Sequence, residues 1–183
     1  RYNSYHHIHW KVSNHMSTLS VDTIQGQTTA ANVKLPAGAI VQTVQYHRRG
    51  QQDGTGSSNL VTISTDSLTD VMSKAITTKF ANSLIHLTMN LVLYDTSGNP
   101  LRLRTKILRN STEIDGDRYA GYGDGGTMFT KTYTFLDTPS AAAGTTLTYK
   151  LQVSELGNST VGVGYGDSGG GSAASIILME IAQ

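Results

Sequence analysis

The sequence predicts an all-β chain, an antiparallel sandwich or barrel of short strands, and three observations predict it. Charged residues are only 15% of the 183, while Gly (19), Ser and Thr are plentiful. That composition leaves few Glu and Lys for solvated helix faces and suits strands joined by Gly and Ser/Thr turns. Apolar residues recur at every second position in several stretches, most clearly at Ile85, Leu87, Met89, Leu91 and Leu93 with His86, Thr88 and Asn90 between them, the period of a strand with one buried face. Turn-forming clusters interrupt these stretches about every 8–12 residues, and no stretch has a helical period. A chain of this length suits one domain of ordinary size, in which folding removes roughly 70% of the unfolded surface.

Residues 1–15 differ from the rest: they hold four of the six His (His6, His7, His9, His15) and the only Trp. The register changes at Met16, which marks either a translation start behind an added leader or the end of a genuine N-terminal arm. Residues 17–37 carry few large apolar groups and end in Leu35-Pro36-Ala37-Gly38, so they read as an extended linker or anchor. Strands are expected at 40–46, 60–63, 75–80, 85–93, 101–107, 127–136, 145–155 and 161–165, and the count of strand ends takes 114–119 as a further strand despite its glycine and charges. Polar Gly-rich loops are expected at 48–58 and 166–171, and turns at 95–100 and 109–113.

The final strand, 172–181, presents Ile177, Met179 and Ile181 on one face and Ala174, Ile176 and Leu178 on the other. Both faces are therefore expected to be covered, one by the chain's own core and the other by a second copy.

Net charge is +1 and there is no Cys. Long-range electrostatics point to neither nucleic acid nor an anionic membrane. No disulfide framework or Cys-based metal site can exist, and no apolar run reaches the length of a membrane span. The expectation is a chain with no cofactor, no nucleic-acid partner and no membrane insertion.

Val21-Asp-Thr-Ile-Gln-Gly-Gln-Thr-Thr29, Leu35-Pro-Ala-Gly-Ala-Ile-Val-Gln-Thr-Val-Gln45, Leu108-Arg-Asn-Ser-Thr-Glu-Ile114, Phe135-Leu-Asp-Thr-Pro139, Thr146-Leu-Thr-Tyr-Lys-Leu-Gln152 and 175–181 occur in that order. Together they resemble the small fibre and spike head domains encoded by many tailed phages of marine bacteria. The resemblance samples most of residues 20–183. It implies a jelly-roll head of the tumour-necrosis-factor or complement type, a homotrimer displayed on the surface of a virion, and it favours Met16 as the start. The organisation it implies is a leader at 1–15, an extended anchor to other virion proteins at 16–37, and a head at 38–183. The implied function is attachment to a host surface glycan or outer-membrane protein without enzymatic activity. The alternative is a capsid decoration or vertex protein that recognises nothing.

Candidate chemistry is sparse. Asp115 and Asp117 flank Gly116 in a pattern that could hold Ca²⁺ or form an acid/base pair, but the longer Ca²⁺-loop spacing with a terminal Glu is absent. His7 and His9 share one side of an extended segment, and three copies would supply six nitrogens to an ion. No metal site is assigned to either pair. With no Cys, and only His47 and His86 beyond residue 15, a nucleophilic triad has no basis.

Gly-Tyr-Gly-Asp occurs at 121–124 and again at 164–167. Glycines free the backbone, Tyr stacks on sugars and Asp accepts hydroxyls. If the last strand ends beside the N-terminal linker, strand alternation counted backwards places 166–171, 137–144 and 109–113 at the distal tip. Tyr165, Asp167, Asn110, Ser111, Thr112 and Ser140 are therefore the expected receptor contacts. Ile176, Leu178, Tyr149 and Phe135 are the expected core or trimer contacts.

Overall fold

The computed structural model describes residues 35–49, 61–64, 67–95, 101–123, 128–157, 160–163, 166–167, 170–171 and 173–183. Its strands are β1 (Ile40–Arg49), β2 (Val61–Ser64), β3 (Thr69–Thr77), β4 (Leu84–Asp95), β5 (Leu101–Arg109), β6 (Thr112–Gly123), β7 (Met128–Asp137), β8 (Thr146–Glu155), β9 (Thr160–Val163), β10 (Gly166–Asp167), β11 (Gly170–Gly171) and β12 (Ala173–Ile181). There is no helix among the described residues. The N-terminal expectations at 1–34 lie outside them.

Two antiparallel sheets face each other, one ordered β3-β8-β5-β6 and the other centred on β4. On one side β4 pairs with β7 along its length. On the other it pairs with β12 over 84–90 and with β9 over 93–95. Because β9 and β12 both run antiparallel to β4, they are two halves of one strand. Next to them, β1 pairs with β12 and β2 with β9, so β1 and β2 are likewise halves of one strand. With the halves joined, the order is first-eighth-third-sixth in one sheet and second-seventh-fourth-fifth in the other. That is the eight-stranded jelly roll of two Greek keys.

The core lies between the sheets, where alternate residues of each strand point inward. Ile85, Leu87, Met89 and Leu91 of β4 are fully buried there, as are Ile176 and Leu178 of β12, Leu103 and Ile107 of β5, and Tyr149, Leu151 and Val153 of β8. The last strand is central, held between β1 and β4. Ile176, Leu178 and Tyr149 belong to the interior of one sandwich, and Phe135 is partly buried against that core; a contact between copies has to come from the other face.

Two expectations are corrected. The strand expected at 75–80 runs over 69–77, because a register shift between Asp70 and Met72 leaves Val71 and Met72 both buried and breaks the two-residue period. The count that set 137–144 at the far tip is reversed. Asp137 pairs with Ile85 at the β4 end where Ile181 meets Leu84, and the loop after it donates and accepts there: Asn82 N–H donates to Ala141 O at 2.8 Å and Gly144 N–H to Thr78 O at 2.7 Å. Gly38 N–H donates to Ala182 O at 2.8 Å at that same end. The count assumed that the Gly-rich stretch before the last strand reverses the chain. β9 and β12 keep one direction along β4, so the ends assigned to 137–144 and 109–113 invert and 166–171 falls between two halves of one strand.

Candidate functional site

The residues expected to meet a receptor fall in different places. Asn110, Ser111, Thr112 and Ser140 lie at the end of the sandwich that also holds Leu35–Ala39 and Ala182. Asn110, at φ 55°, sits in the left-handed region that Asn tolerates. Its N–H donates to Thr148 O at 2.6 Å, and its Oδ1 accepts from Thr148 N–H at 2.9 Å. Both polar groups of the turn are thus occupied in pinning β5 and β6 to β8. Asp167 lies in β10, which pairs only with β11, Gly166 opposite Gly171. Tyr165 lies outside the described residues.

Arg49 pairs with Ala173 and Val61 with Val163, so β1 ends beside the start of β12 and β2 begins beside the end of β9. Gly166 and Asp167 therefore belong to the stretch between the two halves of one strand, β9 and β12, and not to a turn between neighbouring strands.

The end near Leu35 is tied by buried carboxylates. Glu180 points inward at the close of β12 and is fully buried. It accepts from Lys79 N–H at 2.8 and 3.0 Å, from Phe80 N–H at 3.0 Å and from Gln42 Nε2 at 2.6 Å. Burial alone would raise its pKa, but the bonds from Phe80, Gln42, Ser83 and Lys79 outweigh it and hold the carboxyl below its ordinary value. Asp137 accepts from Arg109 Nη1 at 2.7 and 2.9 Å and from Tyr149 Oη at 2.6 Å. Burial, then the bond to Asp137, push the Tyr149 phenol far up. At the opposite end the buried Glu155 accepts from Gly157 N–H at 2.8 Å and Arg102 N–H at 3.3 Å. These groups are satisfied by backbone or by structural partners, an arrangement that ties loops together.

A polar cleft of about 300 Å³ lies over β5 and β6, lined by Arg104, Thr105, Glu113, Gly116, Asp117 and Leu156. Its carboxylates are already paired, Glu113 with Lys106 and Asp117 with Lys131 at 3.0 Å, and Asp115 Oδ1 accepts from Gly116 N–H at 2.7 Å. The bond to Asp117 is the main reason the Lys131 pKa is raised. No group of three or more His, Cys, Asp or Glu that could hold a metal occurs among the described residues. His7 and His9 lie outside them.

The two outer faces differ sharply. Directly opposed residues on neighbouring strands share a face, which fixes the rows on the sheet centred on β4. Thr43, Met179, His86 and Leu136 form one row, and Gln45, Ile177, Thr88 and Thr134 the next; His47, Ser175, Asn90 and Thr132 form the third. Ile40, Ile181 and Leu84 close the face at the Leu35 end. No Lys, Arg, Asp or Glu stands in these rows. Ile40 is 60% exposed and Leu136 47%, while Ile177, Met179 and Ile181 are half-buried. The opposite outer face carries Asp70, Lys150, Lys106 and Glu113, paired as Lys150–Asp70 at 3.3 Å and Lys106–Glu113.

Alternation had already set His86, Thr88 and Asn90 apart from the buried side of β4. What it missed is that the outward positions of three further strands, Thr43 and Gln45, Thr132 and Thr134, Ile177 and Met179, are uncharged too. That signal could be read only after the strands were paired.

Neither a family model nor a curated protein matches the chain. Among solved structures it is similar to infectious bursal disease virus, Gx strain, with TM-score 0.41 and 14% identity over 78% of this chain and 38% of that one. It is also similar to the VP2 subviral particle of that virus, with TM-score 0.42 and 11% identity over 77% and 41%. A Stig cyclase from Fischerella sp. TAU gives TM-score 0.36 and 20% identity over 73% and 61%. The chain thus spans about two fifths of the viral chains. At this level the likeness carries no functional argument; the strand order above establishes the fold by itself.

Proposed function

We propose that the chain is a virion surface protein, a non-enzymatic homotrimer whose jelly-roll head attaches to a glycan or outer-membrane protein of the host cell. The observation that carries this reading is the one-ended attachment of the head. Leu35–Ala39 and the close of β12 meet at one end of the sandwich, so an anchor formed by the residues before Leu35 would mount that end on other virion proteins. The opposite end, where β4 finishes at Asp95, β6 at Gly123 and β8 at Glu155, then faces outward. This reassigns Asn110, Ser111, Thr112 and Ser140 to the mounting side. Asp167, on an excursion from the sheet, and Tyr165 remain the receptor candidates from the sequence. Three weak sites on one trimer would bind a cell surface with an avidity orders of magnitude above one site.

The test is competition. Added full-length protein should block adsorption of the particle that carries it, and electron microscopy should place the trimer at the particle's exterior with the Leu35 end inward. A trimer that studs the capsid and leaves adsorption untouched would assign it to shell decoration and overturn the receptor reading.

A further inference from the structure

We propose that the uncharged rows on the outer face of the β1-β12-β4-β7 sheet, bordered at the end of β1 by the position of Arg49 opposite Ala173, are the surface on which copies of this chain meet. The proposal rests on the reading of the chain as a self-associating head, and it names the face that does the associating. Rows centred on Met179 with His86 and Ile177 with Thr88 combine aliphatic side chains with hydroxyls and amides. Aliphatic groups gain from leaving water. Thr and Asn side chains both donate and accept, so neighbouring copies that turn this face toward a common threefold axis can satisfy one another's groups.

A charged partner would find no complement here, whereas a second copy brings no charge to desolvate. His86 stands in one of these rows, and its Nδ1 is covered within the subunit with no hydrogen-bond partner among the described residues. Size agrees as well. Four strands roughly 4.8 Å apart, each about 30 Å long, give a footprint on the order of 600 Å² before side-chain relief. A standard interface takes about 800 Å² of accessible surface from each partner.

The opposite sheet, with the Lys150–Asp70 and Lys106–Glu113 pairs on its outer face, is built to stay wet. Of the residues expected from the sequence as core or trimer contacts, Ile176, Leu178 and Tyr149 are core. Their outward neighbours Ile177 and Met179 take the role of contacts.

Sedimentation of the full-length chain tests this. The wild type should run as three chains. Gln45→Lys and Thr134→Lys, both at exposed positions that a lone subunit tolerates, should raise the dissociation constant at least a hundredfold with the strand circular dichroism unchanged. Ala75→Lys, exposed on the opposite sheet, should leave assembly intact. Because the chain has no Cys, Thr134→Cys and Ala75→Cys supply a second readout: a thiol reagent should label the first slowly and the second fast.

If both face variants stay assembled, the face is wrong while the trimeric head stands. A wild type that sediments as one subunit at every concentration overturns the face and the homotrimer together. If that monomer also labels slowly at Thr134→Cys, something other than a second copy covers the face and the proposal falls. Failure of adsorption blocking with the trimer intact would sink only the receptor reading.

Discussion

At the scale of single residues, buried polar groups decide how the end near Leu35 holds together. Glu180 gathers bonds from two backbone N–H groups and the Gln42 amide in a fully buried position. Its folded pKa is therefore lowered from 4.5. A depressed carboxyl stabilises the fold fully above its unfolded value and loses that contribution as pH falls through the folded value. Urea unfolding should accordingly show stability falling below about pH 4.5, with the Glu180 share of that fall missing in Glu180→Gln. At pH 7 the substitution should cost about 1–3 kcal/mol, because Gln replaces a charge-assisted acceptor and leaves a donor facing N–H groups. Tyr149→Phe should cost about 1–2 kcal/mol by the same measurement, since it strips Asp137 of a 2.6 Å bond and leaves Arg109 as its remaining partner in the network. Neither role was legible in the sequence. Glu180 looked like one polar residue in an apolar run, and only pairing across β1 shows that Gln42 stands opposite it.

At the scale of elements, strands with an uninterrupted period were legible and strands with bulges were not. β4 and β8 alternate cleanly and were read nearly to their ends. β6 was expected only over 114–119, as the strand the count of ends needed. It runs over Thr112–Gly123, a length that its glycines Gly116, Gly121 and Gly123 and a run of charges hide, and it pairs with β5 through two register shifts. What holds it is the ladder and one close approach. A Cβ at Gly116 would stand 2.7 Å from Thr105 O, inside any tolerable contact. Gly116→Ala should therefore force β6 away from β5 and cost about 1–3 kcal/mol, seen as a lowered unfolding midpoint and as faster hydrogen exchange at the β5–β6 amides. A cost below about 0.5 kcal/mol would mean that the bulge relaxes freely. The Gly-rich stretch before β12 shows the complementary failure: composition announces that the ladder is interrupted, but not whether the chain turns back or resumes its course. Pairing of both β9 and β12 with β4 settles that, and the assignment of ends follows from it.

At the scale of the whole molecule, the last strand poses the main question, because apolar residues lie on both of its faces. The sandwich covers one of them, at Ile176 and Leu178. Ile177 and Met179 are left in uncharged rows on the other face, and hiding those rows in the proposed assembly would couple folding to association. A trimer that unfolds to separate chains gains roughly 1 kcal/mol per chain for each tenfold rise in protein concentration, which in a domain of this size moves the melting temperature by roughly 2–4 °C. The wild type should show that rise in calorimetry across a hundredfold range of concentration. Thr134→Lys should melt at a fixed, lower temperature, because repulsion and desolvation of three introduced ammonium groups remove the association term while the exposed site spares the subunit's own core. Ala75→Lys should follow the wild type. A wild-type melting temperature that stays constant over the hundredfold range would mean that the uncharged face gains nothing from a second copy, and that Ile177 and Met179 remain half-exposed in the working protein.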